Sequence, residues 1–343
     1  MIKSSSRNLL RACPGLSVLF RRRISLLGSM IVAGAVAASP LHHARSQVTP
    51  TLRVVTPAPP GGANDLIARL MGEQICRAQG LAVVIENRPG AGTVIGTEAV
   101  ARSAPDGSTL LITSPPFVIN PHLRRVNYDP QISFEPICTL AVTPTMIVVS
   151  GGSPYRTLSD LLDEARAKPG EMTMASIGPG TGSHIAFEML VRLANIKMTF
   201  VPYPGTAPAV GALLGEHVTS AFTDYPTAAE HVKAGRLRAL AVASPARIAS
   251  LPDVPTVAES GFKDYDADLW YGIVAPAKTP KDTIAQLEDW FTAALQAPEL
   301  KPKLAVQGFY PVGICGVESG AHIRRKFEEY GSVIRDANIR AAQ

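Results

Sequence analysis

The sequence predicts an α/β protein of two lobes, each built on a mainly parallel sheet. Strand, turn and helix patterns alternate along the chain with short connections, the mark of layered α/β structure. Two strand-turn-helix units of one design, Leu52 to Leu70 and Met172 to Asn195, lie far apart. The chain has 343 residues, more than a single hydrophobic core usually serves.

In the first unit a short apolar run (Leu52, Val54, Val55) meets Pro57-Ala58-Pro59-Pro60-Gly61-Gly62-Ala63-Asn64-Asp65. The prolines fix φ and remove donors, the glycines permit tight conformations, and Asn64 or Asp65 is placed to cap a helix. Ile67, Leu70, Met71 and Ile75 follow at helical spacing. A row of backbone N–H groups at such a helix start is a ready site for an anion. The second unit repeats this: strand Met172 to Ala175, turn Ile177-Gly178-Pro179-Gly180-Thr181-Gly182-Ser183, then a helix from His184 with Ile185, Met189 and Leu193 on one face.

Between and after them the pattern continues. Ala82 to Glu86 is a strand, Val94 to Arg102 a helix and Thr109 to Thr113 a strand that ends in a loop from Pro115 to Asn120. Open α/β sheets bind ligands at that end of a strand. Ile137 to Ser150, interrupted by Pro144, is the first crossing between lobes, and Asp268 to Ala275 the return. The second lobe holds the helix Leu158 to Ala167, strands Thr199 to Pro202, Val218 to Phe222 and Leu237 to Ala243, and the helix Ala209 to Leu214. Helices Lys281 to Leu295 and Val317 to Ile334 complete the first. The expected division is 1–46 as an export signal, 47–148 with 271–343 as lobe 1, and 149–270 as lobe 2.

The leader reading rests on Lys3, Arg7, Arg11 and Arg21 to Arg23 ahead of an uncharged run from Ile24 to Ala38. Its arginine cluster leaves the general secretory and twin-arginine routes both open. Seven of the 33 Lys and Arg lie there with no Asp or Glu, which leaves 26 against 28 acidic residues, a balance near −2 rather than +5. The basic total therefore implies no nucleic-acid partner. With no further long apolar run, the chain after residue 46 is not expected to insert in a membrane. Cys76, Cys138 and Cys315 are odd in number and widely spaced, so they are expected as buried small hydrophobes rather than a disulfide or metal framework.

Several ordered motifs carry a resemblance. Pro-Pro-Gly-Gly-Ala-Asn-Asp (59–65), Glu-Asn-Arg-Pro-Gly-Ala-Gly (86–92), Ala-Pro-Asp-Gly (104–107), Asn-Pro-His-Leu (120–123), Gly-Pro-Gly-Thr-Gly-Ser-His (178–184), Val-Pro-Tyr-x-Gly (201–205) and Leu-Pro-Asp-Val-Pro-Thr-Val-Ala-Glu (251–259) are among them. The chain resembles the tripartite tricarboxylate transporter substrate-binding proteins, or Bug solute-binding proteins, over essentially all of 50–343. The resemblance implies a two-lobed type II periplasmic-binding-protein fold, two Rossmann-like α/β domains joined by crossing strands. It further implies a periplasmic, monomeric receptor whose cleft closes on a small carboxylate (dicarboxylate, tricarboxylate, acidic amino acid or aromatic acid) and delivers it to membrane transporter subunits, or alternatively to a sensor. No cofactor or metal is implied.

Carried onto this chain, the two turns are Gly61, Gly62, Ala63, Asn64 and Gly180, Thr181, Gly182, Ser183, holding a carboxylate through backbone groups and bridging waters. The wider expected set adds Asp65, Ser114, Pro115, Ser176, His184, Tyr203, Gly205, Thr206 and Asp224. Asp65 is read foremost as a capping or turn-fixing carboxylate, since facing an anion it would repel it. His184 stands between a structural role and ligand contact, Trp270 is read as hinge packing, and Asn120 as a turn residue. Pro115-Pro116 makes one cleft wall stiff and apolar, and Thr223 before Asp224 leaves contact by Asp224 open. Ser183, His184 and Asp224 are the residue types of a hydrolase, yet adjacent Ser and His side chains diverge and no Gly-x-Ser-x-Gly elbow is present. The reading is a binding protein and not an enzyme.

Overall fold

The computed structural model describes residues 51–263 and 265–340, so the expected export signal at 1–46 lies outside the described residues. Lobe 1 opens with β1 (Thr51–Thr56), α1 (Ala63–Gln79), β2 (Ala82–Asn87), α2 (Val94–Ala101), β3 (Thr109–Thr113), α3 (Pro116–Leu123) and β4 (Phe134–Thr143). The chain crosses at Pro144 into β5 (Thr145–Ser150), α4 (Leu158–Ala167), β6 (Thr173–Ile177), α5 (Gly182–Leu193) and β7 (Thr199–Tyr203). Lobe 2 ends with α6 (Thr206–Leu214), β8 (Ser220–Asp224), α7 (Tyr225–Lys233) and β9 (Leu237–Val242). The return runs through β10 (Leu269–Pro276), α8 (Lys281–Gln296), α9 (Leu300–Val306), β11 (Tyr310–Cys315) and α10 (Gly316–Asp336).

Two sheets result, ordered β11-β4-β10-β3-β1-β2 and β7-β6-β8-β5-β9. β1 pairs in parallel with β2 and β3, and β6 with β7 and β8, while the crossing strands run antiparallel to their neighbours. The strands change sheets at Pro144, ahead of the boundary expected at 148/149. Each lobe starts its sheet with strands whose amide-bearing turns feed helices, so both sets of helix starts open on the gap between the sheets.

Three packed layers form the core. Ile67, Met71 and Ile75 of α1 join Leu287 and Phe291 of α8 on one face of the first sheet. Val210 and Leu213 of α6 cover the matching face of the second. The largest layer is shared: Phe117 and Val118 of α3, Leu161 of α4, Ile185 and Phe187 of α5, and Ile323 and Tyr330 of α10 belong to one continuous cluster. α10 therefore spans the back of both lobes.

The structure departs from expectation at several places. The loop foreseen from Pro115 to Asn120 is largely α3, because Pro115 and Pro116 fall in the first turn, where missing amides cost nothing. Neither Asn64 nor Asp65 is the cap of α1: Gly62 is. Asn120 is not a turn residue; buried within α3, it donates its side-chain amide to the Gly92 carbonyl at 2.7 Å. That bond steadies a segment in which Gly90, Ala91, Gly92 and Thr93 all have positive φ. The cysteines are not all small hydrophobes, since Cys138 and Cys315 form a disulfide between the paired strands β4 and β11. A separation of 177 residues hides this pairing from the sequence, and strand register supplies it.

Candidate ligand-binding site

The first turn is fixed by Asp65. Its carboxylate accepts hydrogen bonds from the Gly61 amide at 2.9 Å, the Asn87 side-chain amide at 2.8 Å and Arg69 Nε at 2.8 Å. Burial pushes this carboxyl up, and the bonds from Arg69, Gly61 and Asn87 outweigh it, holding it below the ordinary aspartate value. Asp65 is thus consumed by the turn, with almost no surface left to face a solute. Leu66 N is the first amide to close onto the helix, on the Gly62 carbonyl at 2.9 Å, so the amides of Ala63 and Asn64 precede the first helical bond.

The second turn is built from the same chemistry with different residues. Thr181 caps α5, its hydroxyl accepting from His184 N at 3.3 Å and donating to the Gly178 carbonyl at 2.9 Å. His184 Nδ1 accepts from the Gly180 amide at 3.2 Å, its Nε2 lies 3.5 Å from Glu188, and its ring packs on Phe200. Both ring nitrogens are therefore engaged within the lobe. Ile185 N closes onto Thr181 O at 3.1 Å, which leaves Gly182 and Ser183 with amides ahead of the first helical bond, as in α1.

Ser114 and Pro115 stand between the two turns. Asn64 Nδ2 donates to Ser114 Oγ at 3.2 Å. On the far side a Cβ placed on Gly182 would lie 3.2 Å from Pro115 Cβ and 3.4 Å from Leu269, and one on Gly180 would strike Leu123 at 2.7 Å. Lobe 1 thus comes close to both glycines of the second turn, and Gly180 is further favoured as glycine by its positive φ of 75°. Leu123 and Leu269 were not foreseen as neighbours of these turns, and nothing in their spacing announced it.

The remaining candidates fall at the same ends of the strands. Ser176, at the end of β6, is fully buried and its hydroxyl has no partner among the described residues. Tyr203 ends β7, its carbonyl accepting from Gly178 N at 3.1 Å, and Gly205 and Thr206 start α6. Asp224 caps α7 through Thr227, accepting from its N at 2.9 Å and its hydroxyl at 2.6 Å. Ser183, His184 and Asp224 do not make a nucleophile relay: the His184 ring is bonded to Gly180 and faces Glu188, and Asp224 is held by Thr227.

The crossings are pinned beside the cleft. Asp268 Oδ1 accepts from Thr145 N at 3.2 Å and Ser244 Oγ at 2.7 Å, and Thr145 Oγ1 donates to the Ala267 carbonyl at 2.9 Å. Burial pushes the Asp268 carboxyl up to about 7, with Asp266 adding to the rise and the Ser244 bond opposing it. Trp270 packs edge-to-face on His322 in the buried layer beneath.

Residues 67–339 match the model of the family described as the tripartite tricarboxylate transporter family receptor. The chain belongs to that family. As a tripartite tricarboxylate transporter family receptor it is a binding protein and not an enzyme, with the two-lobed type II fold seen in its structural neighbours. BugT of Bordetella pertussis is 31% identical over 322 residues, covering 93% of this chain and 98% of that protein. A Rhodopseudomonas palustris protein solved with adipate is 28% identical with a TM-score of 0.70, covering 84% of this chain and 98% of that one. MatC of R. palustris, solved with malate, is 27% identical with a TM-score of 0.67, covering 83% and 98%.

Proposed function

We propose that this receptor works in the periplasm, captures a small carboxylate between the starts of α1 and α5 by closure about the Pro144 and Asp268 crossings, and presents it to a transporter of the tripartite tricarboxylate type. One observation carries the reading. The amides of Ala63 and Asn64 on one lobe and of Gly182 and Ser183 on the other are the free ends of two helices, separated by Ser114 and Pro115. Helix starts offer both donors and a positive dipole end, and bonds to a charged acceptor are stronger than neutral ones. The relatives solved with adipate and malate support a carboxylate as the ligand class.

Closure follows from differential affinity. A ligand that touches both turns stabilises only the state in which both are near it, so binding shifts the lobes toward closure. The test is Gly182→Pro. Gly182 is the first residue of α5, where proline is compatible with the helix, so the change deletes an amide, and the added ring needs Pro115 to give by only a few tenths of an ångström. Calorimetric titration with a panel of carboxylates should show binding to the wild type and at least a tenfold loss in the variant, with the circular dichroism spectrum unchanged. Unaltered affinity in Gly182→Pro would remove the α5 turn from the site.

A further inference from the structure

Resting on that reading, we infer that Arg124 is a specificity residue of this receptor, its guanidinium taking the second anionic group of a two-ended acid whose first carboxylate is held between α1 and α5. The placement comes from α3, which runs along the second turn with Pro115 near Gly182 at its start and Leu123 against Gly180 at its end. Arg124 is the next residue. Its guanidinium lies over the segment that leads into α2, since a Cβ on Gly92 would be 3.8 Å from Nη1 and 3.9 Å from Nη2. That segment follows Asn87, whose side chain braces the first turn through Asp65. Lobe 1 thus carries Arg124 on the rim that borders both ligand-holding turns.

This cation has no acid of its own. Among the described residues its one hydrogen bond is a long one, from Nη1 to the Ala91 carbonyl at 3.5 Å, and its Nε is buried without a partner. Other charges on this side are committed: Arg88 to Glu86 at 2.6 Å, and Arg69 to Asp65 at 2.8 Å. Glu98, the acid of α2, accepts from the Asn127 amide at 2.9 Å and pairs with Arg102 at 3.3 Å. Nor does the segment from Gly90 to Thr93 need Arg124 as a brace. Asn120 Nδ2 already holds it, 2.7 Å from the Gly92 carbonyl and 3.3 Å from Thr93 Oγ1. A guanidinium partly withdrawn from water and left unpaired is a cost that an incoming anion removes. Its planar fork matches a carboxylate in two parallel bonds, stronger than neutral ones. The backbone groups of the two turns serve one end of the ligand, and Arg124 adds a charge that only an acid with a second anionic end can use.

The experiment titrates succinate and adipate, with butyrate and hexanoate as their one-carboxylate counterparts, calorimetrically into the wild type, Arg124→Gln and Arg125→Gln. Arg125 is exposed and carries the same charge one residue on, so its variant separates contact from the general field. A monoacid too weak for direct titration is read by displacement of the diacid. The expected result is a rise of at least about tenfold in the dissociation constant of the diacid that binds in Arg124→Gln, with the monoacid unchanged and Arg125→Gln like the wild type. Unaltered diacid affinity in Arg124→Gln, an equal loss for both kinds of acid, or an equal loss in Arg125→Gln overturns the inference and leaves the receptor reading standing. Silence of the wild type toward all four acids and a wider carboxylate panel removes that reading and the inference with it.

Discussion

Lys326 Nζ lies 3.0 Å from Asp266 Oδ2 and 2.8 Å from the Asp266 carbonyl oxygen, tying α10, the helix that spans both lobes, to the segment that leads into β10. Glu329 on the same helix approaches the ammonium at 3.1 Å. The lysine is almost wholly buried, and its two carboxylate partners are about one quarter exposed. Burial disfavours the charge, and Tyr330, Asp266 and Glu329 more than restore it.

Lys326→Met should therefore destabilise the protein by about 3 kcal/mol, the low end for breaking a buried pair, because the carboxylates can regain some water. Urea denaturation checks this. A loss under about 1 kcal/mol would mean the cluster relaxes freely.

Asp268 makes stability depend on pH. The folded state raises this carboxyl to about 7, whereas an unfolded aspartate titrates at about 3.9. Folding thus binds a proton between those values, so stability falls as pH rises through that window and stays level above it. Burial shifts Glu329 the same way. In Asp268→Asn, whose side-chain oxygen still accepts from Thr145 and Ser244, the slope of melting temperature against pH should shrink, and the melting temperature at about pH 8 should rise. Melts across the window read both; an unchanged slope would assign the dependence to other groups.

Asp65→Ala should cost stability and binding together. Gly61 N, Asn87 and Arg69 lose their common acceptor, for a loss of about 2 kcal/mol by analogy with charged hydrogen bonds. The turn that presents Ala63 and Asn64 loses its brace, so carboxylate affinity should fall at least tenfold even at temperatures where the variant is folded. Intact affinity would show that the turn holds its shape through Pro57, Pro59 and Pro60 alone.

The Cys138–Cys315 bond closes a long loop between strands, so Cys315→Ser should lower stability by about 2–5 kcal/mol. Peptide mapping without reductant should recover the two cysteine peptides linked in the wild type and separate in the variant.

Much of the fold was legible because local chemistry and global arrangement agree. Ile67, Met71 and Ile75 announced α1 by spacing, and Pro144 announced the crossing by breaking an apolar run. What stayed hidden was set by contacts distant in sequence. α7 starts with Tyr225-Pro226 and buries Ala228, too little for a helical stripe to show. The turns themselves were readable from glycine and proline, but their braces, Asn87 on one and the His184 ring on the other, depend on side chains meeting in space. Leu123 and Leu269 likewise gain their meaning from the opposite lobe.

β10 lies between β4 and β3 in the first sheet, yet β10 begins at Leu269 and β11 ends at Cys315, late in the chain. The second sheet needs only residues 145–242. During synthesis, then, the inner lobe can complete its hydrogen-bonded sheet while the outer one waits, its β3 edge open and its β4 without either sheet partner until the last quarter of the polypeptide emerges. Nascent chains that stall in that interval expose one edge of β3 and both edges of β4, and they are the species a holdase chaperone would find first.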